Sequence, residues 1–197
     1  MERFVATRVR LYPTPEQEVA FAKIAGCCRL VHNLALEQRR DHWRRHKGAT
    51  GKSITWYSQK RELPALKKEF PFLKEVPAHC LQQALAHLNT AYVRFFKDGA
   101  GYPKMWEKYE HDSFIFPEPD QISLDLGRGE LRLPKFNGSP HRDDRGPVRA
   151  RLHRKIRGEL RSITVSRSGT HWYASILTRV EVKAPEAKVL DIAGGTG

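Results

Sequence analysis

Nine cationic side chains crowd residues 142–167: Arg142, Arg145, Arg149, Arg151, Arg154, Lys155, Arg157, Arg161 and Arg167, against Asp143, Asp144 and Glu159. All but one are arginines, whose planar fork grips a phosphate at two points where lysine offers a single charge. Set on strands and hairpin tips, such groups form a surface that follows a phosphate backbone. Each phosphate neutralised releases counterions, so binding to that surface weakens steeply with salt. A solvated face of an ordinary barrel is the plainer reading, but the density of the run and its preference for arginine favour binding. A second cationic set is Arg39, Arg40, His42, Arg44, Arg45, His46 and Lys47, with Trp43 among them. Aromatic rings among cations stack on exposed bases. Trp43, Trp56 and Tyr57 are candidate platforms, as are Tyr102 and Trp106 beside Lys104 and Lys108; each is equally a candidate core or boundary residue.

Other chemistries find less support. Cys27, Cys28 and His32 hint at zinc, but adjacent helical residues point about 100° apart, and no second Cys or His pair stands at finger spacing. A buried Cys28 and an inert or boundary Cys27 are expected instead. No Ser-His-Asp arrangement marks a hydrolase. Asp112, Asp120 and Asp125 read as turn or strand residues without partners rather than the converging carboxylates of a two-metal nuclease. No metal and no cofactor are therefore expected. Across 197 residues, 35 Lys and Arg against 22 Asp and Glu give a formal charge of +13, which points to a polyanionic partner. Three cysteines make no disulfide framework, no apolar stretch of membrane-spanning length stands out, and the start lacks an export segment. A cytoplasmic protein without a membrane partner is expected.

The elements that must position these groups are legible in the periodicity. Residues 4–11 alternate, with Val5, Thr7, Val9 and Leu11 on one side and Ala6, Arg8 and Arg10 on the other, which predicts a half-buried strand with a basic outer face. Thr14, Pro15 and Gln17 supply an N-cap, a first helical position and a capping box. Phe21, Ile24, Cys28, Val31 and Ala35 then form one helical stripe that ends near Arg44 to Lys47. A second helix is expected over residues 58–69, whole or in two pieces because of Pro64. Residues 70–73 read as a packed turn. A third helix follows Pro77, with Leu81, Leu85, Leu88, Tyr92, Phe95 and Phe96 on its apolar face and Gln82, Gln83, Asn89, Arg94 and Lys97 largely off it. Beyond Pro103 the period shortens, and strands are expected at 113–116, 122–126, 130–133, 148–153, 159–165 and 172–179. With no crossover helices between them, an antiparallel arrangement follows. The first strand cannot stand alone and is expected to pair into this sheet. The fold class is α+β: a small antiparallel barrel from residues 1–12 and 101–182, a helical lobe over 13–100, and a tail over 183–197.

Several stretches resemble, in order and spacing, the N-terminal part of the TnpB (OrfB) family, transposon-encoded RNA-guided nucleases related to compact type V CRISPR effectors. They are Arg10-Leu11-Tyr12-Pro13-Thr14-Pro15-Glu16-Gln17, Gly26-Cys27-Cys28-Arg29 with Asn33, Leu81-Gln82-Gln83-Ala84-Leu85, Phe95-Phe96, Gly101-Tyr102-Pro103-Lys104, Leu133-Pro134-Lys135, Ile163-Thr164-Val165-Ser166 and Trp172-Tyr173. The resemblance implies an OB-like wedge barrel interrupted by a helical recognition lobe, long described as a helix-turn-helix domain, which together hold a guide RNA and its DNA target. By position it assigns Arg29 and Asn33 to the first helix of the lobe, Gln82 and Gln83 to the later one, and Tyr102 and Lys104 to the return to the barrel. Together with the residues read from charge, the candidate nucleic-acid-binding set is Arg8, Arg10, Arg29, Asn33, Arg39, Arg40, Trp43, Gln82, Gln83, Tyr102, Lys104, Lys135, Arg149, Arg151, Arg154, Lys155, Arg157 and Arg161. Met105-Trp106 departs from the family pattern, where an aromatic-basic pair is usual.

After the barrel the family enters a RuvC-like nuclease domain through a Gly-Ile-Asp-x-Gly strand. Here Asp191 in Val189-Leu190-Asp191-Ile192-Ala193-Gly194-Gly195-Thr196-Gly197 is out of register with it. That tail resembles instead the first motif of S-adenosylmethionine-dependent methyltransferases, whose cofactor site needs a whole α/β sheet. The expectation is a truncated, transposase-like fragment that binds structured RNA and DNA and does not cleave. Two alternatives stay open: a nuclease subunit completed by another chain, and a degenerate product with no maintained activity.

Overall fold

The computed structural model describes residues 2–46, 53–134, 146–152 and 156–181. The chain runs β1 (Glu2–Tyr12), α1 (Pro15–His46), α2 (Trp56–Glu69), α3 (Ala78–Lys97), β2 (Ser113–Phe116), β3 (Ser123–Asp125), β4 (Glu130–Arg132), β5 (Val148–Arg151), β6 (Glu159–Ser168) and β7 (His171–Glu181). Among the described residues, seven strands join one antiparallel sheet in the order β2-β6-β7-β1-β5-β4-β3, curled into a half-barrel. The first strand does pair into the later ones: Leu11 stands opposite Trp172 of β7 and Ala150 of β5. The fold is therefore α+β, a sheet with a helical lobe.

Alternation decides the sheet's two faces. Val9, Leu11, Leu131, Val148, Ala150, Ile163, Val165, Trp172, Ala174 and Ile176 are buried. Phe21 of α1 enters this layer, its ring 5.1 Å from that of Trp172 and 5.6 Å from that of Phe114. Burying a phenylalanine contributes about 1.5–3 kcal/mol. The rest of the α1 stripe, Ile24, Cys28, Val31 and Ala35, continues into the helical lobe and packs with Leu81, Leu85 and Leu88 of α3 and Leu63 of α2 in the same core cluster.

The start of α1 is fixed by its own capping box: the Gln17 amide N–H donates to Thr14 Oγ1 at 3.3 Å, and the Thr14 N–H to Gln17 Oε1 at 3.0 Å. Gln17 is itself buried and donates through Nε2 to the Gly146 and Pro147 carbonyls at 3.4 and 3.3 Å, tying the helix to the approach of β5. Thr55 and Ser58 form the corresponding box for α2.

The structure settles two points that the sequence left open, at Pro64 and at Cys27, and corrects two expectations, at Phe96 and for α1. Pro64 does not split α2, which is one helix over Trp56–Glu69; burial of Leu63 and part-burial of Leu66 against the core outweigh the roughly 3 kcal/mol cost of an interior proline. Phe96 is 73% exposed, whereas Phe95 beside it in the last turn of α3 is half-buried. Both Cys27 and Cys28 are buried, and burial pushes both thiols up, which leaves them protonated and unreactive. Finally, α1 is long and apolar enough by length and composition to cross a bilayer; its apolar stripe is packed against α3 and the sheet. The tail over 183–197 lies outside the described residues.

Two turns make opposite demands on glycine. Gly158, at φ +90°, leads into β6 with its α-carbon against β7: a β-carbon there would lie 2.3 Å from the Arg179 carbonyl oxygen. Gly169, at φ +59° in the β6–β7 hairpin, has open space around it. Gly169→Ala is expected to cost about 1–2 kcal/mol for the left-handed backbone alone, and Gly158→Ala clearly more, since the clash adds to it. Urea unfolding midpoints of the two variants measure the difference.

Candidate nucleic-acid interface

With Val9 and Leu11 turned inward, Arg8, Arg10 and Tyr12 of β1 point to the outer face of the sheet. Register places Arg10 beside Tyr173 of β7 and Arg151 of β5, and Tyr12 beside Arg149. The Arg8 guanidinium lies over the Tyr173 ring at 4.1 Å from its centroid, and that of Arg10 over Tyr12 at 5.0 Å. Arg8, Arg10, Arg151, Ser168 and Tyr173 line an open groove of about 630 Å³. Arg10 Nε is buried and has no hydrogen-bond partner among the described residues. A buried donor left unmet costs about 1–3 kcal/mol, which an incoming acceptor relieves. Arg149 sits at the side of this face, opposite Glu130 in the β4–β5 ladder. Sequence reasoning omitted Tyr12 and Tyr173 from the candidate set. Tyr12 shares the parity of Arg10 along β1, which was the signal available for finding it, whereas Tyr173 is placed there by the β1–β7 register alone.

Other members of the charged run lie elsewhere. Arg161 is exposed on β6 and pairs at 3.1 Å with Glu159, which Arg179 also grips at 2.5 Å. The hydrogen bond from Arg179 holds the Glu159 carboxyl below its ordinary range. Arg157 is exposed just before β6. Lys135, Arg154 and Lys155 fall outside the described residues.

Arg29, His32 and Asn33 form one face of α1, and all three reach the irregular segment that leads from α3 into β2. Arg29 pairs with Asp112, at 15% and 6% side-chain exposure; Asp112 thus has the partner that its sequence context did not show. Asn33 accepts from the Trp106 N–H at 2.8 Å and donates to the Trp106 carbonyl at 3.0 Å, so it takes up both backbone groups of one residue. The His32 ring stacks on the Trp106 indole at 3.9 Å and 10°, and its Nε2 lies 3.4 Å from the Lys104 carbonyl. His87 and His111 stand around the same indole. The departure from the family pattern at Trp106 is thus accommodated by a histidine-lined seat. Removing one partner of a buried ion pair such as Arg29–Asp112 costs about 3–5 kcal/mol, because the other charge stays uncompensated. Lys104 itself is exposed.

In the helical lobe, Arg39 is wedged between helices: its Nε donates to Gln59 Oε1 of α2 at 2.9 Å and its guanidinium lies 4.9 Å from the Tyr92 ring centroid of α3. Arg40 is half-buried and Trp43 is 65% exposed. Tyr102 is partly exposed, its hydroxyl 2.9 Å from that of Tyr92. Gln82 and Gln83 are half-buried on α3, Gln83 where that helix faces β2. The structure therefore gathers the candidate residues into a basic groove on the sheet, a cationic and aromatic end of the lobe, and a strut between the two.

Burial, with opposing charge from His87 and His111, holds the His32 imidazole below its ordinary pKa of 6.5. The unfolded chain takes up that proton first, so the stability is complete above about pH 6.5 and is lost as pH falls toward the folded-state value. Urea midpoints are expected to drop between pH 7.5 and pH 5.5, measured at constant ionic strength in the manner of a linkage experiment. His32→Gln should flatten that part of the profile.

Residues 1–48 match the helix-turn-helix domain of the OrfB IS605 group; their described part forms β1 and the continuous helix α1. The chain is 33% identical over 187 residues to the candidate RNA-guided DNA endonuclease InsQ of Escherichia coli (strain K12), covering 94% of this chain and 43% of that protein. It is 32% identical over 177 residues to a candidate RNA-guided DNA endonuclease of Streptomyces pristinaespiralis, covering 87% and 40%. It is also 31% identical over 115 residues to the virulence protein VsdF of Salmonella dublin, covering 53% of this chain and 93% of that one. The chain spans about two-fifths of the length of the two endonuclease relatives. With its ordered motifs carried on a half-barrel and a helical lobe, the chain belongs to the TnpB/OrfB family, whose N-terminal part it matches.

Proposed function

We propose that this chain is the nucleic-acid-gripping part of a TnpB-like RNA-guided endonuclease, binding structured RNA and DNA in the cytoplasm without cleaving a phosphodiester itself. The observation that carries the reading is the outer face of β1. Arg8, Arg10 and Arg151 converge on one open groove, backed by Tyr173, and Arg10 keeps a buried donor unmet. Phosphate oxygens satisfy such donors in pairs, and the displaced counterions supply the driving force. The names of the two endonuclease relatives support RNA as the guide and DNA as the target. In this reading positioning belongs to these 197 residues, and metal-assisted cleavage to carboxylates outside them.

Fluorescence anisotropy with a structured RNA hairpin, repeated across a salt series, tests the binding. The wild-type chain is expected to bind with a steep negative slope of log affinity against log salt. Arg8→Gln or Arg10→Gln should weaken binding and make the slope shallower by about 0.7–0.9 for each phosphate contact removed. A folded wild-type chain that ignores the RNA at low salt overturns the reading. Cleavage of a guided target by this chain with magnesium overturns its second half.

A further inference from the structure

The far end of the helical lobe carries a feature that the sheet groove does not absorb. Tyr92, Phe95 and Phe96 on the last turns of α3 meet Tyr102 from the segment that follows. Phe95 and Phe96 contact at 5.0 Å, Phe95 and Tyr102 at 5.3 Å, and Tyr92 and Tyr102 at 5.8 Å, all edge to face. Tyr92 and Phe96 lie nearly parallel, 6.2 Å apart and 20° inclined. The cluster is only partly inside the protein: Phe96 is 73% and Tyr102 45% exposed. A phenylalanine ring left this open forgoes the burial that ordinarily fixes one in place.

Its surroundings are cationic. Arg39 covers Tyr92 at 4.9 Å, and its Nη2 is buried without a hydrogen-bond partner among the described residues. Arg40 is close enough to favour the ionised form of the Tyr92 hydroxyl, although burial and the hydrogen bond that this hydroxyl shares with Tyr102 dominate and hold it protonated. Arg94 and Lys97 belong to the same last turn of α3. Among the described residues no carboxylate forms an ion pair with Arg39, Arg40, Arg94 or Lys97.

Resting on the nucleic-acid reading above, we propose that Phe96 and Tyr102, with Arg39 and Arg40, form a second site: a stacking platform for unpaired bases of single-stranded nucleic acid. Charge and geometry both favour this occupant. The open ring offers a π-face, the guanidinium and ammonium groups suit the phosphates that accompany each base, and the unmet Arg39 donor suits a base or phosphate oxygen. The interior of a duplex cannot use the platform, because its bases already cover one another's faces. The platform and the sheet groove thus divide the work. One takes bases wherever they are unpaired, while the other takes the phosphate backbone of paired or unpaired strands.

Binding of the full chain to oligo-dT, oligo-U, an abasic strand of equal phosphate count and a blunt duplex tests this. Phe96→Ala is expected to weaken oligo-dT and oligo-U roughly 5- to 100-fold, the range for losing one base–aromatic stack. The abasic strand and duplex should bind the variant as they bind the wild type. Phe96→Trp, which keeps a ring, should retain the wild-type affinity for single strands. Circular dichroism shows that each variant keeps its helices, since the residue is exposed. Unchanged single-strand affinity in Phe96→Ala, while the wild type binds all four probes, overturns the platform and leaves the groove standing. An abasic strand that binds as tightly as oligo-dT also overturns it. Loss of self-association in Phe96→Ala without loss of oligonucleotide binding assigns the face to a second copy instead. A wild-type chain that binds none of the probes removes both readings.

Discussion

Inward burial of Val9 and Leu11 against Trp172 and Ala150 is the constraint on which the rest of the interface depends. Side chains on a strand alternate strictly, so fixing those two residues in the core turns Arg8, Arg10 and Tyr12 outward with no further choice. A slip of one residue would place two guanidinium groups in the hydrophobic layer and two apolar side chains in water. Each misplacement costs several kcal/mol, which makes the register one of the most firmly specified features of the sheet. The same parity, passed across hydrogen-bonded neighbours, sets Tyr173 and Arg151 beside Arg10. The basic face is thus the other side of the core.

Contacts of α1 along its length hold the helical lobe to this sheet. Gln17 holds the approach to β5, Phe21 enters the layer between Trp172 and Phe114, and Arg29, His32 and Asn33 fasten the segment that returns from α3. The apolar contact supplies the driving force, while the polar contacts choose the geometry. A half-buried carboxamide that satisfies both backbone groups of Trp106 tolerates little displacement, because either lost bond leaves a polar group unpaired. The same holds for Arg29 and Asp112, whose pairing offsets the cost of desolvating both. Two of the residues that the family resemblance placed in the nucleic-acid-binding set, Arg29 and Asn33, have their polar groups engaged within the chain in this way.

Much of the fold was legible because its signals are local. The alternation of residues 8–11, the capping box at Thr14 and Gln17, the helical stripe from Phe21 to Ala35 and the short strands after Ser113 each follow from neighbouring residues; Val5, expected on the buried side of β1, is exposed. Where expectation and structure part, a distant contact intervenes. Pro64 stays inside α2 because Leu63 is buried by other helices. Phe96 lies outside the core although it continues the apolar stripe of α3, and Asp112 finds Arg29 from 83 positions away. The candidate site shows the same division. The dense charge of residues 142–167 is visible in the sequence, yet only Arg149 and Arg151 of its described members reach the face of Arg8 and Arg10, while Arg161 is taken up by Glu159.

By itself the sequence determined the chemistry available to this chain: an excess of guanidinium groups, aromatic rings among them, an α+β element order, and the family to which those motifs belong. It also determined the sidedness of each strand, because alternation is a property of the backbone and needs no partner. Only the tertiary structure decided which strands lie side by side, and therefore which arginines share a groove and which are neutralised. That choice depends on long-range pairing and on the fit of α1 against the sheet, whose energies come from residues far apart along the chain and leave no local mark.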